Sequence, residues 1–217
     1  MARFCARATS NDEEDSALAP RLRRLRRGEL PIDTTELARA LIGRVIVREL
    51  GGERLAGRIV ETEAYPVGDL AAHHVRGPTP RNRSMFLAPG HAYVYFCYGC
   101  WFMLNVSSEK PGVGGGVLVR ALEPIAGIET MTRLRGGARF TDLTRGPGRV
   151  AQALAIDRRL DGVDLCAPGP LWLGCNGVAP GPIGSSVRIG IRRDAHRVLR
   201  FYERGNPHVS GPRALSP

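Results

Sequence analysis

Residues 58–77, RIVETEAYPVGDLAAHHVRG, gather Glu61, Glu63, Tyr65, Asp69, His73 and His74 in one short segment of a strongly basic chain. Carboxylates, phenols and imidazoles transfer protons, bind metal ions, or stabilise a positive charge as it develops. Alternate side chains of an extended strand share a face, so Glu61, Glu63 and Tyr65 fall together, with Val60, Thr62 and Ala64 opposite. A carboxylate beside an aromatic ring at a strand end suits acid–base chemistry. The competing reading is a surface carboxylate paired with one of the chain's thirty arginines. A metal site fits less well. His73 and His74 are neighbours that point apart in regular structure, no H-E-x-x-H is present, and His91 has no partner at helical spacing. No metal and no cofactor are expected.

A second group is aromatic. Tyr93, Tyr95 and Tyr98 lie in one strand–turn unit, YVYFCYGCWFML. Half-buried phenols of this kind stack on unpaired bases, although tyrosine is also common in a sheet core. The formal net charge of +10 favours a polyanionic partner over a bare solubility role. The basic run PRLRRLRRGELP could touch phosphates or simply be solvated, and the sequence leaves both open.

The elements that must position these residues can be read from spacing. Residues 1–29 read as a tail, acidic then basic, 30–210 as one folded domain and 211–217 as a short C-terminal tail. DTTELARALIG reads as a helix capped by Asp33 or Thr34 and ended by Gly43. RVIVREL and RLAGRIVETEAY read as strands joined at Gly51-Gly52, and AYVYFC and WFMLNVS as a second hairpin with Tyr98-Gly99 near its tip. GVGGG reads as a flexible loop and VLVRALEP as a strand. PIAGIETMTRLR reads as a helix with proline in its first turn and Ile125, Ile128 and Met131 on one face. In RGPGRVAQALAI a Gly-Pro-Gly turn precedes a helix whose free N–H groups could meet a phosphate. LWLG, SSVRIGIR and VLRFYERGNP supply further short strands. The order predicts an α+β domain with a curved, largely antiparallel sheet flanked by helices.

The chain has five cysteines, an odd number, and no secretory apolar core, which predicts reduced thiols in the cytosol. Acidic NDEEDS argues against a mitochondrial presequence, and no apolar run approaches a membrane span. Cys97 and Cys100 form a C-x-x-C. Cys166 and Cys175 do not repeat that spacing, so small buried cysteines fit better than a zinc ribbon.

GRIVETEAY, AAHH, TPRNRSMF, YVYFCYG, LNVSS, VLVRALEP, RGPGRVAQALAI, RIGI and RFYERGNP, in that order between about residues 30 and 210, closely resemble the alkyladenine (3-methyladenine, methylpurine) DNA glycosylases. Each piece alone is weak, and the ordered set is specific. The resemblance implies a monofunctional enzyme of base excision repair that flips out alkylated or deaminated purines such as 3-methyladenine, 7-methylguanine or hypoxanthine. It then hydrolyses the N-glycosidic bond and leaves an abasic site. The resemblance makes Glu63 the residue that activates water and Arg120 its helper. It makes Tyr65, His73 and Tyr95 the walls of a purine slot and Asn105 a screen against guanine's exocyclic amine. Tyr98 becomes the wedge on a protruding hairpin that fills the gap in the duplex. Thr79, Arg81, Arg83, Gly146 and Arg149 are candidates for the DNA backbone. Damaged double-stranded DNA is the implied partner, bound by a monomer in the cytoplasm, at a bacterial nucleoid. Strand cleavage by a glycosylase usually needs an amine, and the only lysine, Lys110, lies away from Glu63 in sequence. The alternatives are a nucleic-acid-binding module of the same fold without catalysis and, less favoured, a metal-dependent nuclease.

Overall fold

The computed structural model describes residues 22–97, 99–212 and 214. Among these residues nine strands form one open sheet, and every strand pair in it is antiparallel. The strands are β1 (Arg23–Arg24), β2 (Val45–Leu50), β3 (Glu53–Tyr65), β4 (Ala92–Cys97), β5 (Trp101–Ser107), β6 (Gly116–Ala126), β7 (Leu171–Cys175), β8 (Ile183–Ser186) and β9 (Arg200–Glu203). Their order is β1-β7-β2-β3-β6-β5-β4, with β9 joining β3 and β8 pairing β9. Among the described residues three short α-helices flank the sheet: α1 (Thr34–Ala40), α2 (Ile128–Leu134) and α3 (Pro147–Ala153). Among the described residues no helix is long and apolar enough to cross a membrane. The α+β class and the largely antiparallel sheet are as the sequence predicts.

The 13-residue β3 is the spine of the domain. β6 runs along one side of it, and β2 and then β9 along the other: β2 covers Glu53 to Arg58, β9 covers Glu61 to Glu63. The β3–β6 register is interrupted around Glu61: Ile59 faces Leu122, Glu61 faces Ala121 and Thr62 faces Val119. Val60 is therefore an extra residue on β3, and Arg120 an extra residue on β6. Such bulges bend a strand and re-aim a side chain.

Local chemistry explains the elements. The Asp33 carboxylate accepts from the Thr35 and Glu36 N–H groups and caps α1. Leu37 and Ala38 on the buried face of α1, with Leu41 at its C-cap, pack with Ile59, Val119, Leu122, Val150, Leu154 and Phe201 in the main core. The Gly51-Gly52 turn holds both residues at positive φ, 59° and 86°, as a tight hairpin needs.

Four expectations are corrected. Residues 22–29, read as tail, pack on the domain: β1 pairs with β7, Leu25 is buried and Arg27 reaches Asp164 at 2.5 Å. Pro124 belongs to β6 and not to a helix, and α2 starts only after Gly127, so Ile125 lies in the strand and Ile128 is exposed. GVGGG is close-packed in its second half, though Gly112 and Val113 stay exposed: an added Cβ on Gly114 would stand 2.5 Å from His74 Cβ, and on Gly115 2.6 Å from Ser108 Oγ. Of SSVRIGIR only Ser185 and Ser186 lie in a strand, while 187–193 is irregular.

Candidate active site

Glu61 and Glu63 have no exposed surface, and neither do the side chains of Arg200 and Asp69. Arg120, thrown inward by its bulge, links the two glutamates. Its Nε donates to Glu61 Oε1 at 2.9 Å, and its Nη1 lies 3.1 Å from Glu63 Oε1. Arg200 adds a second cation, its Nε donating to Glu61 Oε1 at 2.6 Å, and the Ser210 N–H donates to Glu61 Oε2 at 2.7 Å. Two buried carboxylates thus meet two buried guanidiniums, the pairing that makes ion burial tolerable. Burial opposes the charge on Arg120, but Glu63 and then Glu61 more than offset it and raise its pKa.

Glu63 is held by three donors. Besides Arg120, the Ile189 N–H donates to Oε1 at 2.7 Å and the Tyr65 hydroxyl to Oε2 at 2.9 Å. Burial, and then the adjacent Glu63 carboxylate, push the Tyr65 phenol well above its ordinary range, so it stays a neutral donor. Glu61, Glu63 and Tyr65 do share one face of β3.

In front of these donors opens a cavity of about 320 Å³ whose wall includes Tyr65, His73, Tyr95, Asn105, Arg120, Pro147 and Ile189. This lies within the usual range of small-ligand pockets, about 300–1,000 Å³. Glu63 sits behind the wall, screened by Tyr65, Arg120 and Ile189. The slot is aromatic. His73 meets Tyr95 edge-on with ring centres 4.5 Å apart, and Tyr93 stacks against Tyr95 at 5.3 Å. His73 Nδ1 lies 2.9 Å from the Tyr93 hydroxyl. Burial pushes the Tyr93 phenol up to about 12. Burial of its ring, then the charge of Arg81, lowers the pKa of His73, although one edge of the residue stays exposed at the mouth. Asn105 is buried, and its Nδ2 donates to the Tyr93 carbonyl at 3.2 Å, which fixes the orientation of the amide.

Asn82, not singled out from sequence, braces this wall. Its Nδ2 donates to the His73 and Gly77 carbonyls, and its Oδ1 accepts from the Thr79 N–H and hydroxyl. Thr79 is thereby tied into the loop behind His73. Arg81 Nη2 donates to the Phe96 carbonyl at 2.9 Å, and its guanidinium lies 5.9 Å from the Tyr95 ring centre. Arg83 is exposed on a 3₁₀ turn. Gly146 opens α3 directly before the wall residue Pro147, and Arg149 pairs with Asp142 at 3.0 Å. Arg192 and Arg193, exposed just after the wall residue Ile191, were not picked out from sequence; only the net charge hinted at them. Tyr98 lies outside the described residues. Beside its position, Trp101 packs on α3, where a Cβ on Gly148 would stand 2.9 Å from the ring. Cys97 lines the cavity half-buried and Cys100 is exposed, so this pair is not the buried one expected. Among the described residues no three His, Cys, Asp or Glu side chains converge as metal ligands would.

The arrangement supplies a carboxylate held by neutral and cationic donors, beside a cavity lined by aromatic side chains and with exposed arginines near its mouth. Comparison with known proteins points the same way. The family model for methylpurine-DNA glycosylase matches residues 29–207. A candidate 3-methyladenine DNA glycosylase of Mesorhizobium japonicum is 64% identical over 87% of this chain and 91% of its own length. One of Paraburkholderia phytofirmans is 49% identical over 88% of this chain and 90% of its own. The DNA-3-methyladenine glycosylase of Mus musculus is 45% identical over 80% of this chain and 57% of its own length.

Proposed function

The chain belongs to the methylpurine-DNA glycosylase family, and on that premise we propose that its cavity receives an alkylated or deaminated purine swung out of duplex DNA and that the chain hydrolyses the bond joining that base to its sugar. The observation that carries the reading is the buried Glu63 carboxylate, held by Arg120, Tyr65 and Ile189 directly behind an aromatic slot. A base must leave the stack before such chemistry, at a cost of a few kcal/mol. Stacking between Tyr65, His73 and Tyr95 offsets part of it, and Tyr98, which follows β4 in sequence, fills the gap in the duplex. Thr79, Arg81, Arg83, Gly146 and Arg149, with Arg192 and Arg193, bind the backbone around the mouth.

As the bond from C1′ to the base breaks, positive charge gathers on the sugar. The Glu63 carboxylate stabilises that charge and takes the proton of the water that adds to C1′. Arg120, the one donor of Glu63 that is also a cation in the cavity wall, positions that water. A purine alkylated at N3 or N7 carries its own positive charge and leaves as a neutral base; hypoxanthine needs a proton from outside this set. A neutral His73 does not repel a cationic base, whereas a protonated one would. Asn105, locked by Tyr93, screens against guanine's exocyclic amine. Lys110 is exposed and outside the cavity wall, so no Schiff base forms and the product is an abasic site in an intact strand.

Incubation with methylated duplex DNA tests the reading. It predicts release of 3-methyladenine or 7-methylguanine and strand breaks only after alkali. Absence of released base would refute the activity, and breaks without alkali would refute the monofunctional assignment.

A further inference from the structure

Asp69 lies in the same 58–77 segment as Glu63 and Tyr65, yet it has no place in the chemistry above. It is fully buried and pairs at 2.5 Å with Arg188, whose side chain is equally buried, while Arg197 stands 3.5 Å away. Arg188 also donates to the Ala64 carbonyl at 3.0 Å, on the strand between Glu63 and Tyr65. Its guanidinium carbon lies 4.6 Å from the centre of the Tyr65 ring. Arg188 does not line the cavity, so it covers the inner face of that ring and leaves the outer face to the slot. Its Nε is buried and, among the described residues, has no hydrogen-bond partner, a cost that stacking on the ring explains better than hydrogen bonding does. The next residue, Ile189, donates its N–H to Glu63.

We infer that Arg188, pinned by Asp69, is a positioning residue that sets two of the three donors to Glu63: the Tyr65 hydroxyl, by backing its ring, and the Ile189 N–H, by anchoring the chain beside it. The inference rests on the reading of Glu63 as the base. Displacement of either donor turns the carboxylate away from C1′ and leaves it less stabilised as an anion. The acidic limb of the rate profile then moves to higher pH.

The test is single-turnover base release from methylated duplex by wild type, R188K and D69N/R188Q. R188K keeps the charge and loses the planar stack. The double variant removes both buried charges together, so that neither is left without its partner. The expected result is release about ten- to a hundredfold slower in each variant. Affinity for a duplex holding an abasic-site analogue stays within about twofold, because the mouth is untouched. The acidic limb shifts up, and the slowing by R188K shrinks in a Y65F background, as coupling through Tyr65 requires. Wild-type rate and pH profile in either folded variant would overturn the inference while wild-type release still stood for the function. Failure of both variants to fold would make the pair structural only and overturn it equally. If wild type releases no base, the function itself is what fails.

Discussion

The floor and the mouth of the cavity are built on opposite plans. At the floor, Glu61, Glu63, Arg120 and Arg200 are buried on adjacent strands of one sheet, and every carboxylate has at least two donors. At the mouth, Arg81, Arg83, Arg192 and Arg193 are exposed on loops and a 3₁₀ turn. Rigid strands hold a reacting group to within the small errors that chemistry tolerates, whereas phosphates need only charge in roughly the right place. The floor is therefore where stability and chemistry are coupled, and the mouth is where charge can change without loss of the fold.

The largest effect should come from breaking the floor. R200M leaves Glu61 buried with one cation fewer, and urea unfolding should show a loss of about 3–5 kcal/mol. R192A at the mouth should stay within about 0.5 kcal/mol of wild type in the same experiment. Equal losses from the two would erase the distinction.

Next comes Y65F, which keeps the ring and removes one charge-assisted hydrogen bond to Glu63, worth about 1.5–3 kcal/mol. Base release should slow by about ten- to a hundredfold, with lesion-duplex affinity nearly unchanged, as single-turnover kinetics and titration would report. An affinity loss with an unchanged rate would make Tyr65 a wall and nothing more.

The two regions also differ in how far the sequence reveals them. The alternation in VETEAY places Glu61, Glu63 and Tyr65 on one face, and the Asp33 cap and Gly51-Gly52 turn locate α1 and the first hairpin, because these signals act over a few residues. Arg120 shows no such signal. Its inward aim comes from a bulge that exists only once β3 and β6 pair. Arg188 meets Asp69 across 119 positions of sequence, and the strand-like pattern of 187–193 gives way because the Ile189 N–H is taken by Glu63. GVGGG has the composition of a loose loop, and only the side chains folded against Gly114 and Gly115 reveal a tight corner there. At the mouth, thirty arginines give the sequence a charge but no means of choosing among them.

A smaller effect is expected at the mouth. The double variant R192A/R193A should reduce the salt slope of duplex binding by about 2 if both touch phosphate, with little change in the rate from the bound complex. An unchanged slope would move these arginines out of the interface.

The smallest effect is a pH dependence. Burial lowers the pKa of His73, His74 and His208 in the folded chain. The unfolded chain then binds more protons between the lowered values and about 6.5, so stability falls as pH drops through that window and is flat above it. Thermal midpoints measured at constant ionic strength from neutral to mildly acid pH should decline in that direction. A rise on acidification would contradict the burial assigned to these rings.

The central claim is that Glu63 activates the water. Single-turnover release from methylated duplex by E63Q measures it most directly, with folding checked by the unfolding midpoint. The account predicts a folded protein that still binds lesion DNA and releases base about a hundred- to ten-thousandfold more slowly. Release at the wild-type rate from folded E63Q would contradict it.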